Sequence, residues 1–545
     1  MPVVELSYSR LQKLIGKVSK KQISESLPFL GLDVESEDKD LVRVEYSPNR
    51  PDYSTDFGIA LGLQGLLGIK TGSLKIKIKN SKEYKINVNS KVTKIRPFVT
   101  GIIAKNGKID DKIIKQFMTM QEDLHFGIGR KRKKSSIGIH DLDKICFPLS
   151  YTTTNRNHKF VPLNSNKEST ISDILQNTEV GQEYGNILAN ASQVPIIIDS
   201  NNQTVSFPPI VNAAVTTVTT KTKNLFVEVT GISKEDAENM LSIVATILQA
   251  AGFALTSTNI YGAKNSSPKF ESRKISINPQ LINASLGLEL KIVKIVSSLK
   301  QSRLDASITG KNIVCTIPPY RFDIFGPMDI VEEVALGYGI ENLDPILSQS
   351  ETLGTLHPIS SQLKTLSLVM VGLGYLEGLN SSLTSKKILY EMTNRESNNP
   401  IAVLNSKSQE HTILRDSILP GLLENISRNI HESYPQKLFE TGTIFLKNKP
   451  INEKTNFAAV CAHKEANFTE IKSILQAVLK TGFNLEIETK TSNHETFENG
   501  RAASILVNGK RIGVIGEINS KTIENYKIRV PVVGFEISLS GLIFD

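Results

Sequence analysis

Four carboxylates, Asp323, Asp329, Glu332 and Glu333, stand within eleven residues of the stretch PPYRFDIFGPMDIVEEVALGYGI (318–340). A helix opened by Asp329 would carry Glu332 and Glu333 one turn further along the same stripe. Ile330, Val331, Val334 and Ala335 would then form the apolar side that holds the helix to a core. Hard divalent cations take carboxylate oxygens, and Mg²⁺ keeps several waters while using few protein ligands. The same spacing also reads as a helix start, with Asp329 as N-cap, Glu332 reaching back, and Pro327 just upstream. One carboxylate oxygen can cap while the other meets a water of the ion, so both readings stand.

The second concentration of charge is RKRKK, comprising Arg130, Lys131, Arg132, Lys133 and Lys134, in a loop flanked by glycines. Such a run can neutralise phosphates and bind RNA in a salt-dependent way, and it can equally be a solvated loop. His140 beside Asp141 is not a catalytic pair on this pattern, because neighbours on a strand face opposite ways. Cys146, Cys315 and Cys461 are too far apart in sequence for a zinc or redox pair and read as reduced thiols of a cytosolic protein. GxGxxG, GxxxxGK, GxSxG and HExxH are all absent, so no self-contained site for phosphoryl or acyl transfer is indicated.

These residues need elements to position them. A chain of 545 residues is too long for one core and divides into about three or four domains. Its 39% hydrophobic and 22% charged content is that of an ordinary globular protein, and a net charge of +9 favours an anionic partner. The N-terminus carries no secretory or transit pattern. LSLVMVGLGYLEGL (366–379), the most apolar window, is too short to span a membrane and is expected to be a buried helix. The chain opens with a strand, a helix from about Ser9, and a second helix after SPNRPD in which Pro51 suits the first turn. LKIKIKN alternates as an exposed strand. VPIIID and TVSF flank a hairpin turn at SNNQ, LFVEVT is a strand, and 234–251 is helical. YGAKNSSPKFESRK (261–274) reads as a linker. PQLINASLG and ELKIVKIVSSLK form a helix pair broken at Gly287. KLFETGTIFL, AASILVNGKRIGVIGEI and VVGFEISL supply later strands, with a hairpin turn at Asn508.

In order and spacing, SPNRPDYSTDFGIAL (47–61), GRKRKKSSIGIHDLDKI (129–145), FVPL (160–163), SFPPIVN (206–212), LFVEVTG (225–231), the 318–340 stretch and LRDSILPGLLENISRN (414–429) resemble one family. It is the β subunit of the archaeal and eukaryotic type of phenylalanyl-tRNA synthetase. The resemblance implies an α+β multidomain chain: an N-terminal α/β domain (1–80), a mixed α/β tRNA-editing domain (81–262), a winged-helix-like domain with the acidic segment (270–346), and a non-catalytic class II synthetase-like domain, an antiparallel sheet with helices (352–545). It also implies a cytoplasmic α₂β₂ heterotetramer, free of membrane, that joins L-phenylalanine to tRNA(Phe) while ATP gives AMP and diphosphate.

On that resemblance ATP and phenylalanine bind on the α subunit, and no residue here is catalytic for aminoacylation. Arg415 stands at the turn into a helix, and GFEISLSGLIFD (534–545) offers no second arginine. Mg²⁺ is expected at the contact with α, on Asp323, Asp329, Glu332 and Glu333. An apolar pocket shaped for phenylalanine rejects one added hydroxyl only by about 10², so hydrolysis of mischarged Tyr-tRNA needs a second, polar site. Ser206, Asn212, Glu228 and Thr230 are its candidates, with Glu228 accepting from the tyrosine hydroxyl. The RKRKK loop is the candidate tRNA contact. Two rival readings remain, a free-standing nucleic-acid-binding protein and a stand-alone trans-editing hydrolase.

Overall fold

The computed structural model describes residues 2–263, 265–347, 353–397 and 399–542. Residue 264 of the linker, residue 352 and residues 543–545 at the C-terminus lie outside the described residues, as does Met1. The chain divides into two compact units, Met1–Leu347 and Ser348–Asp545, so the three domains expected before residue 347 share one unit.

In the first unit, strand Leu41–Tyr46 lies between Val3–Ser7 and Leu32–Glu37. Pro51 opens a single 3-10 turn, and the helix proper, Asp56–Leu66, starts later under a Thr55 cap. A side chain at Gly58 would lie 1.6 Å from the carbonyl oxygen of Asp52, so only glycine lets this helix fold back onto the SPNRPD turn.

Two sheets follow. One orders Ile78–Lys79, Ala254–Ser257, Phe98–Lys105, Leu225–Gly231 and Ser135–Asp141. Helix Lys234–Ala250 packs on it, capped by Ser233 and buried along ten residues from Ala237 to Leu248. Each fully buried Leu, Ile or Val there contributes about 1.5–3 kcal/mol, which is what holds the sheet flat against the helix. The other sheet orders Val211–Asn212, Thr204–Phe207, Val194–Ile198, Leu149–Thr154, Lys85–Val88 and Asn259–Tyr261. The expected hairpin is present, with Ile198 paired to Thr204 across a turn in which Asn202 is left-handed. The alternating LKIKIKN segment forms strand only at Ile78–Lys79, because Leu74, Ile76 and Ile78 turn inward against the core.

The acidic segment belongs to a smaller layer. Strand Asn312–Ile317 lies between Arg273–Ile277 and Asp305–Thr309, and helices Pro279–Leu286, Ile292–Gln301 and Pro327–Tyr338 cover it. Gly287 caps the first of these helices in the left-handed region, as its position predicts. Ile295 of the second packs fully, while Val293 is exposed.

In the second unit a seven-stranded sheet orders Leu376–Glu377, Gln436–Leu446, Asn452–Ala462, Val532–Ser538, Lys510–Ile518, Phe497–Val507 and Glu488–Thr491. Only its first pair is parallel. Strand alternation divides the core: Phe457, Ala459 and Cys461 pack toward helices Pro358–Gly372 and Phe468–Phe483, and Ala458, Val460 and Ala462 toward Leu419–Arg428. The expected hairpin at Asn508 is present, with Asn508 and Gly509 both left-handed. The 366–379 window is not a buried helix. Its helix stops at Gly372, a short strand follows, and only Leu366, Met370 and Tyr375 are buried, while Leu368, Val371, Leu376 and Leu379 face outward.

Candidate functional site

A set of buried polar groups converges on a largely apolar cavity in the first unit. Glu228 sits mid-strand in Leu225–Gly231, with Gly101 opposite it on one side and Gly138 on the other. The missing side chain of Gly138 leaves the Glu228 carboxyl room to stand clear of the sheet. A methyl group at Gly138 would lie 2.6 Å from Glu228 Oε1, 2.6 Å from His140 Nε2 and 3.0 Å from Asn212 Oδ1. Those three side chains therefore meet over one glycine. Ser206 Oγ donates to Glu228 Oε1 at 3.0 Å and lies 3.3 Å from Asn212 Oδ1.

Glu228 is 1% exposed, and its Oε2 has no hydrogen-bond partner among the described residues. Burial pushes its carboxyl up to about 7, against the pull of the Ser206 hydroxyl and the Arg96 charge. Burial also brings His140 down to about 3, so the imidazole is neutral. His140 Nδ1 lies 2.8 Å from Thr216 Oγ1, and its Nε2 is unpartnered. Ser206, Asn212, Thr216 and Glu228 line a cavity of about 390 Å³ whose walls include Phe117, Met118, Ile137 and Ile139. An apolar slot with unpaired polar groups at its end suits a ring that carries one hydroxyl.

Of the four residues singled out from sequence, Ser206, Asn212 and Glu228 come together, and Thr230 does not join them. Thr230 Oγ1 accepts from Arg96 Nε at 2.8 Å, and its carbonyl accepts from Arg96 Nη2 at 2.8 Å. It anchors a buried arginine beneath the cavity. His140 and Asp141 face opposite ways, as neighbours on a strand do, and Asp141 accepts from Thr222 Oγ1 at 2.8 Å. The signal for His140 lay two residues back: Gly138 and His140 share a strand face, the glycine opening space that the histidine borders.

The basic run divides. Arg130, Lys131 and Lys133 are exposed. Arg132 turns inward to the cavity wall, donating to Ile210 O and Glu122 Oε1, each at 2.8 Å, and Lys134 pairs with Asp236 at 3.2 Å. Arg130, Lys131 and Arg132 are left-handed in succession, which makes the loop a tight reversal.

The four carboxylates of the acidic segment also divide. Helix Pro327–Tyr338 has Gly326, not Asp329, as its N-cap, and Asp329 is the third residue reaching back: its Oδ2 accepts from Phe325 N at 2.6 Å and Gly326 N at 2.8 Å. Glu333 faces inward and pairs with Arg321, which is 2% exposed, and Asp323 pairs with the same guanidinium. Glu332, 100° around the helix, is exposed. Asp329, Glu332 and Glu333 therefore do not share one stripe.

In the second unit, Arg415 is buried against Glu440, and strand Gln436–Leu446 carries no arginine. Asn380 donates to the other oxygen of Glu440 at 2.7 Å. The guanidinium is thereby committed inside the protein.

Residues 344–539 match the phenylalanyl tRNA synthetase beta chain CLM domain, 275–340 the tRNA synthetase B5 domain, and 81–242 the B3/4 domain. The phenylalanine–tRNA ligase beta subunit of Archaeoglobus fulgidus is 38% identical over 100% of this chain and 99% of its own length. That of Methanosarcina acetivorans is 36% identical, with the same two coverages. The crystal structure of an N-terminal fragment of the phenylalanyl-tRNA synthetase beta subunit from Pyrococcus horikoshii is similar with a TM-score of 0.59 and 29% identity, over 62% of this chain and 99% of the fragment. The chain belongs to the phenylalanine–tRNA ligase β-subunit family.

Proposed function

We propose that this chain is the editing and assembly subunit of a cytoplasmic phenylalanine–tRNA ligase. With an α subunit, in an α₂β₂ complex, it joins L-phenylalanine to tRNA(Phe) as ATP is converted to AMP and diphosphate. Its own reaction is hydrolysis of mischarged Tyr-tRNA(Phe). The observation that carries the editing reading is Glu228: a buried carboxyl with one free oxygen, facing an apolar cavity across a glycine. A tyrosine hydroxyl donates to that oxygen, whereas phenylalanine would leave it unpaired and desolvated. The 3′ end of the tRNA reaches the cavity past Arg130, Lys131 and Lys133, whose charges meet phosphates. Lys131 also lies over the exposed ring of Phe126, a platform on which a base can stack.

Aminoacylation is assigned to α because Arg415 is spent on Glu440 and strand Gln436–Leu446 carries no arginine to grip a nucleotide phosphate. ATP is accordingly held by the complex through α. The outward apolar residues Leu368, Val371, Leu376 and Leu379, next to the short edge strand of the large sheet, supply a surface for that partner. Mg²⁺ at the acidic segment fits Asp329 and Glu332, since Asp329 keeps one oxygen free of the cap and Glu332 is exposed. Asp323 and Glu333 serve Arg321 instead. A bound Mg²⁺ would supply positive charge at the joint with α. Among the described residues no helix is long and apolar enough to cross a membrane.

The test is a split assay. The isolated chain forms no Phe-AMP and supports no ATP–diphosphate exchange, and adding α restores both. The complex deacylates Tyr-tRNA(Phe), and Glu228→Ala slows this by about 10–100-fold, the value of a hydrogen bond to a charged group. A variant that separates Tyr-tRNA from Phe-tRNA as well as the parent removes Glu228 from the pocket.

A further inference from the structure

Outside the cavity and the acidic segment, the second unit holds one cluster that the proposed function does not use. Cys461 lies next to the end of strand Asn452–Ala462, His463 follows two residues on, and Glu470 is the third residue of helix Phe468–Phe483. Asn467 caps that helix by accepting from Glu470 N at 3.1 Å, which fixes where the glutamate begins. One ligand atom from each of the three lies within 4.8 Å of the others. His463 Nε2 is 2.7 Å from Glu470 Oε2, and Cys461 Sγ is 3.6 Å from Glu470 Oε1.

We propose that Cys461, His463 and Glu470 bind a single divalent cation, with Zn²⁺ as the best match to this sulfur, nitrogen and oxygen set. Tetrahedral Zn²⁺ with bonds of about 2.0–2.3 Å places its ligand atoms roughly 3.3–3.7 Å apart, a small adjustment from the observed separations. A second observation points the same way. The hydroxyl of Tyr375, a residue 2% exposed, lies beside the Cys461 thiol and near Glu470. It stands ready to occupy the fourth position or to donate to a thiolate. His463 and Glu470 are half-buried, which leaves an entry path for the ion.

Cys461 is buried, and as a thiol it carries a proton before metal arrives. Binding replaces that proton: the S–H bond breaks, sulfur donates its pair to Zn²⁺, and the proton leaves to solvent. Lys437 Nζ, 3.3 Å from Glu470 Oε1, competes for the carboxylate, and its flexible stem lets it withdraw to water. The bound ion would clip the strand end to the start of the helix.

The test uses the full chain, reduced, stripped with chelator and titrated with Co²⁺. A thiolate-to-cobalt charge-transfer band and intense four-coordinate visible bands should saturate at one equivalent and vanish on adding Zn²⁺. Cys461→Ser abolishes the charge-transfer band, and Cys146→Ser, which removes the exposed cysteine, leaves it intact. Should Cys461→Ser fail to fold, Glu470→Gln gives the reading: the sulfur band remains and Co²⁺ affinity falls by at least about 10–100-fold. Lys437→Met should tighten binding. If the four residues form only an ion-pair cluster, Lys437→Met lowers the melting temperature and leaves the cobalt spectrum unchanged. Absence of the charge-transfer band in the parent, or its survival in Cys461→Ser, overturns the proposal.

Discussion

Arg321 grips both oxygens of Asp323, with Nε 2.9 Å from Oδ1 and Nη2 2.8 Å from Oδ2, while the same guanidinium reaches Glu333 from the following helix. Arg50 makes the same two-pronged contact with Asp52 close by, at 3.0 and 2.8 Å. The two arginines repel, and the three acids more than balance them. The SPNRPD turn and the acidic segment, nearly three hundred residues apart in sequence, are thus halves of one buried charge network.

Removing Arg321 strands two acids at once. Arg321→Met should cost about 3–5 kcal/mol, the penalty for breaking a buried pair from one side. Adding Asp323→Asn and Glu333→Gln to it should return most of the loss. Urea denaturation of the three proteins checks this, and an unchanged midpoint for Arg321→Met would dismiss the network as a stabilising element.

The neighbours Glu332 and Glu333 offer a clean separation of roles. Glu332→Ala should leave the melting temperature of the isolated chain unchanged and weaken Mg²⁺-dependent association with α. Glu333→Ala should lower the melting temperature with or without Mg²⁺, because it leaves Arg321 short of a partner. Equal effects of the two changes would contradict the inward and outward division.

Much of this was legible in the sequence where a signal is local. Gly287 as a helix stop, the SNNQ and Asn508 turns, and the helix at 234–251 all follow from turn chemistry and periodicity. What periodicity could not show was which charges neutralise one another. Arg321 stands two residues before Asp323 in plain view, but its burial, and hence its claim on Glu333, depends on packing from distant segments. Thr230 has the right face of the right strand and is lost to Arg96, an arginine with no local mark of burial. The 366–379 window reads as buried because apolarity alone does not say whether a face meets its own core or a partner.

Gly138 tests the cavity without replacing any of its polar groups. Its φ is not left-handed, so alanine brings no backbone strain, and the atoms nearest the added methyl are side-chain atoms of Glu228, His140 and Asn212, which must shift to admit it. Gly138→Ala should fold and support aminoacylation with α normally. Deacylation of Tyr-tRNA(Phe) should fall by about 10²-fold, as expected when reacting groups are displaced by about 1 Å. Unimpaired deacylation would place the editing site elsewhere.

Glu228 should also write a pH dependence into both stability and editing. Its carboxyl rises from 4.5 to about 7 on folding, so between those values the folded state holds a proton that the unfolded state has lost. Stability therefore falls as pH rises through this window, by up to about 3 kcal/mol at 1.36 kcal/mol per pH unit, and is level above and below it. Glu228→Gln cannot titrate, so the difference in urea midpoint between parent and variant should grow in the variant's favour from pH 4.5 to 7. The ionised carboxylate is also the better acceptor for a tyrosine hydroxyl. The ratio of parent to Glu228→Gln rates on Tyr-tRNA should accordingly climb through about pH 7, while the same ratio on Phe-tRNA stays flat. A flat ratio on both substrates would mean that ionisation of this carboxyl does not govern recognition.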